Sequence, residues 1–196
     1  MQDPGFVKDA FSKIADRYVL TNHVLSMGTD ILWRKRVGQI VMEWAPDTIL
    51  DIATGTGDLA LELQKVCYDA KVIASDADSA VEPYLQLHND INKTKVEFEK
   101  KTFQQIKGNE LTDVHTVVGA DICFWDELVK PLFNLTNRAL KAGVKQVLIA
   151  DPGRPPFWEL AEMCDAKKGW QTDVYTRSIS LPFKTTKHLL LVTLGS

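Results

Sequence analysis

Apolar residues recur at helical spacing through the first forty-odd positions: Phe6, Ala10, Phe11, Ile14 and Tyr18 in one run, Leu32, Val37, Ile40 and Val41 in a second. Asn22, Gly28 and the Gly-Thr-Asp run separate the two, Asp30 is placed to cap the second helix, and Pro46 ends it. The pattern then changes. Short apolar runs at 48–53, 71–76, 95–98, 115–121 and 145–151 read as strands, and residues 57–67, 79–92, 125–142 and 156–167 read as the helices between them. In the third of these helices Trp125, Leu128, Leu132, Leu135 and Ala139 fall on one face. Such alternation predicts an α/β fold with a doubly wound, mainly parallel sheet covered on both faces. Two final runs, near 173–180 and 187–194, have only "LPFKTT" between them and predict a closing antiparallel pair, which makes seven strands. The chain therefore reads as one domain over 1–196, a helical cap over 1–45 on a core over 46–196, and the Lys- and Glu-rich segment 93–110 reads as solvated surface.

Composition narrows the class. The 196 residues are 45% apolar and 25% charged, within the globular range. No run of 18 apolar residues is present, so no transmembrane segment is expected. The opening "MQDPGFVKDAF" lacks a signal-peptide apolar core, and a cytoplasmic location is expected. A net charge of -3 without a long basic run gives no footprint for nucleic acid. Cys67, Cys123 and Cys164 are odd in number and lack C-x-x-C spacing, which argues against a disulfide framework or a metal site.

The run "ILDIATGTGDLALELQ", Ile49 to Gln64, is a strand, a glycine turn and a helix. Gly55-Thr56-Gly57-Asp58-Leu59-Ala60 satisfies the loose G-x-G-x-x-G/A dinucleotide pattern. A dinucleotide rests its pyrophosphate on the helix N-terminus. Asp58 stands in that first turn, where a carboxylate competes with phosphate and suits a cation, and Asp51 adds a second carboxylate at the strand end. S-adenosylmethionine meets these conditions: it has no phosphate, and it carries an ammonium and a sulfonium. Asp76, 19 residues after Gly57, ends the second strand, where a carboxylate accepts ribose hydroxyls in either cofactor class. The alternative is that Asp58 only caps its helix and Asp76 only begins a turn. The cofactor set read from this stretch is Asp51, Thr54, Gly55, Thr56, Gly57, Asp58, Asp76 and Ala77.

"FSKIADRYVLTNHVLSMGTDILWRKRV" followed by the ATGTGD box resembles the ubiquinone/menaquinone-biosynthesis C-methyltransferases over roughly residues 6–76. The resemblance implies a seven-stranded Rossmann-like methyltransferase with S-adenosylmethionine at Thr56 and Asp76, and Tyr18 closing over the cofactor. The acidic residue that methyltransferases often carry after strand three, near the adenine, falls on Thr102, a neutral and weaker partner. The "AD-x-x-x-LPF" and "GLRN" stretches that follow the third and fourth strands in that family are missing from those places. Residues 115–163 are instead similar to a branch of small seven-strand methyltransferases that includes protein-lysine methyltransferases, with an Asp ending strand four and an aromatic after it, here Asp121 and Phe124 or Trp125. The two halves together suggest a hybrid, natural or engineered, joined near residues 67–80.

Methyl transfer from a sulfonium is an in-line displacement in which the protein holds the nucleophile about 3–3.5 Å from the methyl carbon in a dry pocket. Asp121 belongs to the cofactor rim at the end of strand four, and Trp33, Trp125 and Arg154 are the candidate contacts to the acceptor. Each has a plainer role: Trp33 and Tyr18 as core, Trp125 as the first anchor of its helix, and Arg34, Lys35 and Arg36 as a solvated face. No general base stands out. The function expected is methylation of a small molecule, such as one resembling a quinone precursor, or of a protein side chain. The rivals are a hybrid that binds the cofactor without turnover and a nicotinamide-dependent oxidoreductase.

Overall fold

A computed structural model describes residues 29–179 and 185–195. The first helical run, Tyr18 and most of the "LPFKTT" link lie outside the described residues. The elements are α1 (Thr29–Glu43), β1 (Thr48–Ile52), α2 (Asp58–Val66), β2 (Lys71–Asp76), α3 (Val81–Asn92), β3 (Glu97–Lys100), a short 3-10 turn (Gly108–Glu110), β4 (Thr116–Ala120), α4 (Asp126–Ala142), β5 (Gln146–Asp151), α5 (Pro155–Asp165), β6 (Trp170–Ile179) and β7 (Thr185–Leu194). Asp30 lies inside α1 and not at the cap expected for it.

The seven strands form one sheet in the order β3-β2-β1-β4-β5-β7-β6. Pairing is parallel from β3 to β5, and β7 is antiparallel to both β5 and β6. The period of two along each strand sorts the core into two layers. Leu50, Ile52, Val117, Val147, Ile149, Leu190 and Val192 meet Leu132, Leu135 and Ala139 of α4 and Phe157 and Leu160 of α5. On the other face Ile49, Val72, Val118, Leu148, Ala150 and Leu189 meet Val37 and Val41 of α1, Leu59 and Leu63 of α2, and Leu85 of α3. Each such buried aliphatic contributes about 1.5–3 kcal/mol relative to exposure, and the two-sided burial explains the near-continuous apolar runs in β4 and β5.

Three local expectations are corrected. β3 starts at Glu97, two residues late, because the Asn89 side chain takes both backbone groups of Val96: its amide donates to Val96 O at 2.9 Å and its carbonyl accepts from Val96 N at 3.1 Å. Trp125 is no anchor: it precedes α4 at the cap position and is 59% exposed. The segment 93–110 is not all surface. Phe103 and Ile106 are buried, and Arg138 of α4 donates from Nε to Ile106 O at 3.0 Å and from Nη2 to Phe103 O.

Candidate active site

In a doubly wound sheet ligands sit beyond the carboxyl ends of the strands where the strand order reverses. Here that point lies between β1 and β4, which pair directly. A cleft opens there, walled by Trp33 and Arg34 of α1, Asp51 of β1, Ala53, Thr54, Thr56, Asp58 and Leu59 about the glycine turn, Ala120 ending β4 and Asp121 after it, Ala150 of β5 and Lys187 of β7. Ala53 (φ 50) and Asp121 (φ 57) leave the two central strands in the left-handed region, an uncommon conformation for residues with a Cβ. Such outliers concentrate where a structure holds a ligand or a reaction.

The glycine turn is bonded within itself and to β2. Gly57 N donates to Thr54 O at 3.0 Å, Thr54 N to Ser75 O at 3.0 Å, and Gly55 N to the Asp76 carboxylate at 2.9 Å. Gly57 (φ 78) caps the start of α2 in a conformation that favours glycine, and a Cβ there would stand 2.5 Å from Leu85 Cδ1. At Gly55 (φ 56) a Cβ would meet no atom within 4 Å, so that face of the turn is open.

The carboxylates of the site differ in environment. Asp51 is 1% exposed and accepts from Thr54 Oγ1 at 2.5 Å. Burial pushes its carboxyl up to about 7, with the Asp76 charge adding to the rise and the Thr54 hydroxyl and Ala60 amide opposing it. Asp58 opens α2, accepts from Thr56 Oγ1 at 2.7 Å and lies 3.7 Å from Arg34 Nη1, so Arg34 belongs to the cleft and not to a solvated face. The oxygens of Asp76 accept from Gly55 N and Asp78 N, and an ionised carboxylate retains lone pairs for two further donors such as ribose hydroxyls. Asp121 receives the Lys187 ammonium on Oδ2 and lies 3.8 Å from Arg154 on Oδ1.

Of the residues expected from sequence, Asp51, Thr54, Thr56, Asp58, Asp121 and Trp33 come together in the cleft wall. Asp76 joins through Gly55, with Ala77 exposed just beyond it. Thr102 lies past β3, its amide bonded to Gln105 Oε1 at 2.9 Å, outside the walls of the cleft. Arg154 is committed elsewhere: its guanidinium donates to the buried Asp151 at 2.6 Å and covers the Phe124 ring at 4.2 Å. Arg154 stands beside the cleft against Asp121, and neither it nor the exposed Trp125 is in the cleft wall. Lys187 was not anticipated. Its only mark in the sequence is a charge ahead of the apolar run of β7.

The residues fit S-adenosylmethionine on two observations. The Gly55 face is open for close approach, and Asp76 has lone pairs to spare beside it. The same turn is ill suited to a diphosphate, because the Gly55 and Gly57 amides are already donated internally and Asp58 occupies the first turn of α2.

Among solved structures the chain is similar to the plantazolicin methyltransferase BpumL, solved with a pentazolic desmethylPZN analog and SAH, at a TM-score of 0.68 and 14% identity, covering 97% of this chain and 93% of that one. It is also similar to TrmN from Thermus thermophilus, with a TM-score of 0.61 and 14% identity over 82% of this chain and 49% of that one. At such identity the likeness is one of fold. In sequence it is 52% identical over 66 residues to the demethylmenaquinone methyltransferase of Thermus thermophilus, 34% of this chain and 30% of that protein. It is 43% identical over 74 residues to the ubiquinone/menaquinone biosynthesis C-methyltransferase UbiE of Bdellovibrio bacteriovorus, 38% of this chain and 32% of that protein. The matched segments thus span about a third of these relatives. The family model matches residues 2–147, well past residue 76 where the resemblance was expected to stop, and with three quarters of its length so matched the chain belongs to the ubiE/COQ5 methyltransferase family.

Proposed function

We propose that the protein transfers a methyl group from S-adenosylmethionine to a small, electron-rich ring of the quinone-precursor type. The observation that carries the cofactor half is the pairing of Gly55 N with Asp76, which turns a loop amide away from phosphate and fixes a carboxylate at the ribose position. The acceptor half rests on membership of the ubiE/COQ5 family and on the demethylmenaquinone methyltransferases among its relatives.

When bound, the cofactor supplies an electrophilic methyl on a positively charged sulfur. The work of the chain is then to hold and to exclude. Asp76 accepts the ribose hydroxyls. Asp51, buried and close to neutrality, ionises in favour of an incoming ammonium, and its orientation is held by Thr54. Trp33, 3% exposed, and Val37 close the α1 side of the cleft against water. Methyl transfer needs position and a dry wall more than a metal or a covalent intermediate.

Calorimetry with S-adenosylhomocysteine and with NAD(H) tests the cofactor, and turnover on a panel of quinols, small amines and peptides tests the acceptor. Binding of NAD(H) without S-adenosylhomocysteine overturns the reading. Methylation of peptides but not quinols moves the acceptor to protein side chains. Cofactor binding with no turnover on any of the three makes the chain a binding protein.

A further inference from the structure

We propose that Lys187 is the anion-binding residue of the acceptor side, recognising a ring hydroxyl in its ionised form. The proposal rests on the methyltransferase reading above and names what that reading leaves open, the chemical state in which the acceptor is held.

The argument starts from register. His188 pairs with Asp151 across β5 and β7, so His188 and Leu190 face α5 while Lys187 and Leu189 face the side of α1. That alternation sends Lys187 into the cleft wall, where its side chain is 14% exposed. An ammonium has three donors. One goes to Asp121, whose backbone is held in the left-handed region by its own amide donating to Ala150 O at 2.7 Å. The other cation near Asp121, Arg154, is bound to Asp151. Among the described residues Asp121 is its partner, so Lys187 is fixed in direction by a carboxylate with two donors left for a ligand.

Among the described residues the charges in the cleft wall are Asp121 after β4, Asp51 of β1, Asp58 of α2 and Arg34 of α1, with Arg154 beside it against Asp121. Arg34 lies against Asp58 and Arg154 against Asp151, and Asp51 is matched by the ammonium of the cofactor in the reading above. Among the described wall residues there is no histidine to serve as a base. A fixed ammonium solves the same problem otherwise, since an opposite charge within about 4–6 Å favours the ionised form of an acid. The hydroxyl proton leaves to solvent before transfer. An electron pair of the oxyanion then moves through the ring to carbon, the carbon–methyl bond forms, and the methyl–sulfur bond breaks with its pair going to sulfur, leaving a neutral thioether. Loss of the ring-carbon proton to water restores the aromatic oxyanion.

The test uses 4-nitrocatechol, whose ionised form absorbs in the visible, added to the whole protein saturated with S-adenosylhomocysteine. Wild type should hold the dye about tenfold or more enriched in its ionised form over free dye at the same pH. Lys187→Met should abolish the enrichment and Lys187→Arg should keep it, each protein being held saturated with S-adenosylhomocysteine at a concentration set by its own calorimetric affinity. If S-adenosylhomocysteine fails to bind wild type, the cofactor reading falls and this proposal with it. If it binds while the dye is not enriched, or is equally enriched in Lys187→Met, this proposal alone is overturned.

Discussion

The amide of Gly55 donates to the carboxylate of Asp76 at 2.9 Å across a separation of 21 residues, tying the turn after β1 to the end of β2. Asp76 therefore already serves the loop that lines the site, and in the proposed role it also accepts from a ribose. Asp76→Ala should weaken S-adenosylhomocysteine binding by about 1–3 kcal/mol, the cost of losing charge-assisted hydrogen bonds. Calorimetry reads the change, and unaltered affinity would remove Asp76 from the ribose role.

The buried carboxyl of Asp51 makes stability depend on pH. An aspartate in the unfolded chain titrates near 3.9, about three below the value of about 7 in the folded protein. Between these values the native state keeps a proton that the unfolded chain has lost. The contribution of Asp51 is therefore most favourable below the unfolded value, falls as pH rises through the window, and levels off above the folded one. Asp51→Asn should flatten this dependence and raise the stability of the ligand-free protein at pH 8 by a few kcal/mol at most. Denaturant midpoints of the two proteins from pH 4 to 8 give the comparison, and parallel curves would show that Asp51 is not the group responsible.

Gly57 answers to two constraints at once, a left-handed φ of 78 and a Leu85 methyl 2.5 Å from where a Cβ would stand. Gly57→Ala should cost about 1–3 kcal/mol, as overpacking and strain together do. Trimming Leu85 to Ala in the same chain relieves the clash but not the backbone strain. A double variant less destabilised than the sum of the two single ones is the expected result, read from urea midpoints.

Trp125 and Leu132 share a helical pattern but not an environment. Trp125 is 59% exposed and Leu132 is 2% exposed. Trp125→Ala should change stability by no more than about 0.5 kcal/mol, against about 2–5 for Leu132→Ala. Comparable losses in thermal unfolding would contradict the exposure of Trp125.

These contrasts show what periodicity can and cannot carry. The strands were legible because a two-sided sheet requires unbroken apolar runs, as in "VLIA" of β5, and the glycine turn was legible because its chemistry is local. The start of β3 was not, since Asn89 substitutes for a strand partner and side-chain capping leaves no periodic trace. Trp125 was misread because spacing alone cannot separate the last residue before a helix from its first buried turn. Arg34 looked like one charge among three and is distinguished only by the position of Asp58. Lys187 was beyond reach for a topological reason: it joins the cleft only because β7 enters between β5 and β6, a pairing across more than thirty residues.

That insertion has a further consequence for how the molecule is assembled. Until β7 arrives, β5 is left with a long unpaired apolar border and β6 has no neighbour at all, the sort of template that invites other chains. Shortening the protein from Thr185 onward would therefore not shave a rim. It would take out an interior strand, leaving β5 as an open edge and β6 detached, and the outcome to look for is insoluble material rather than a smaller folded protein.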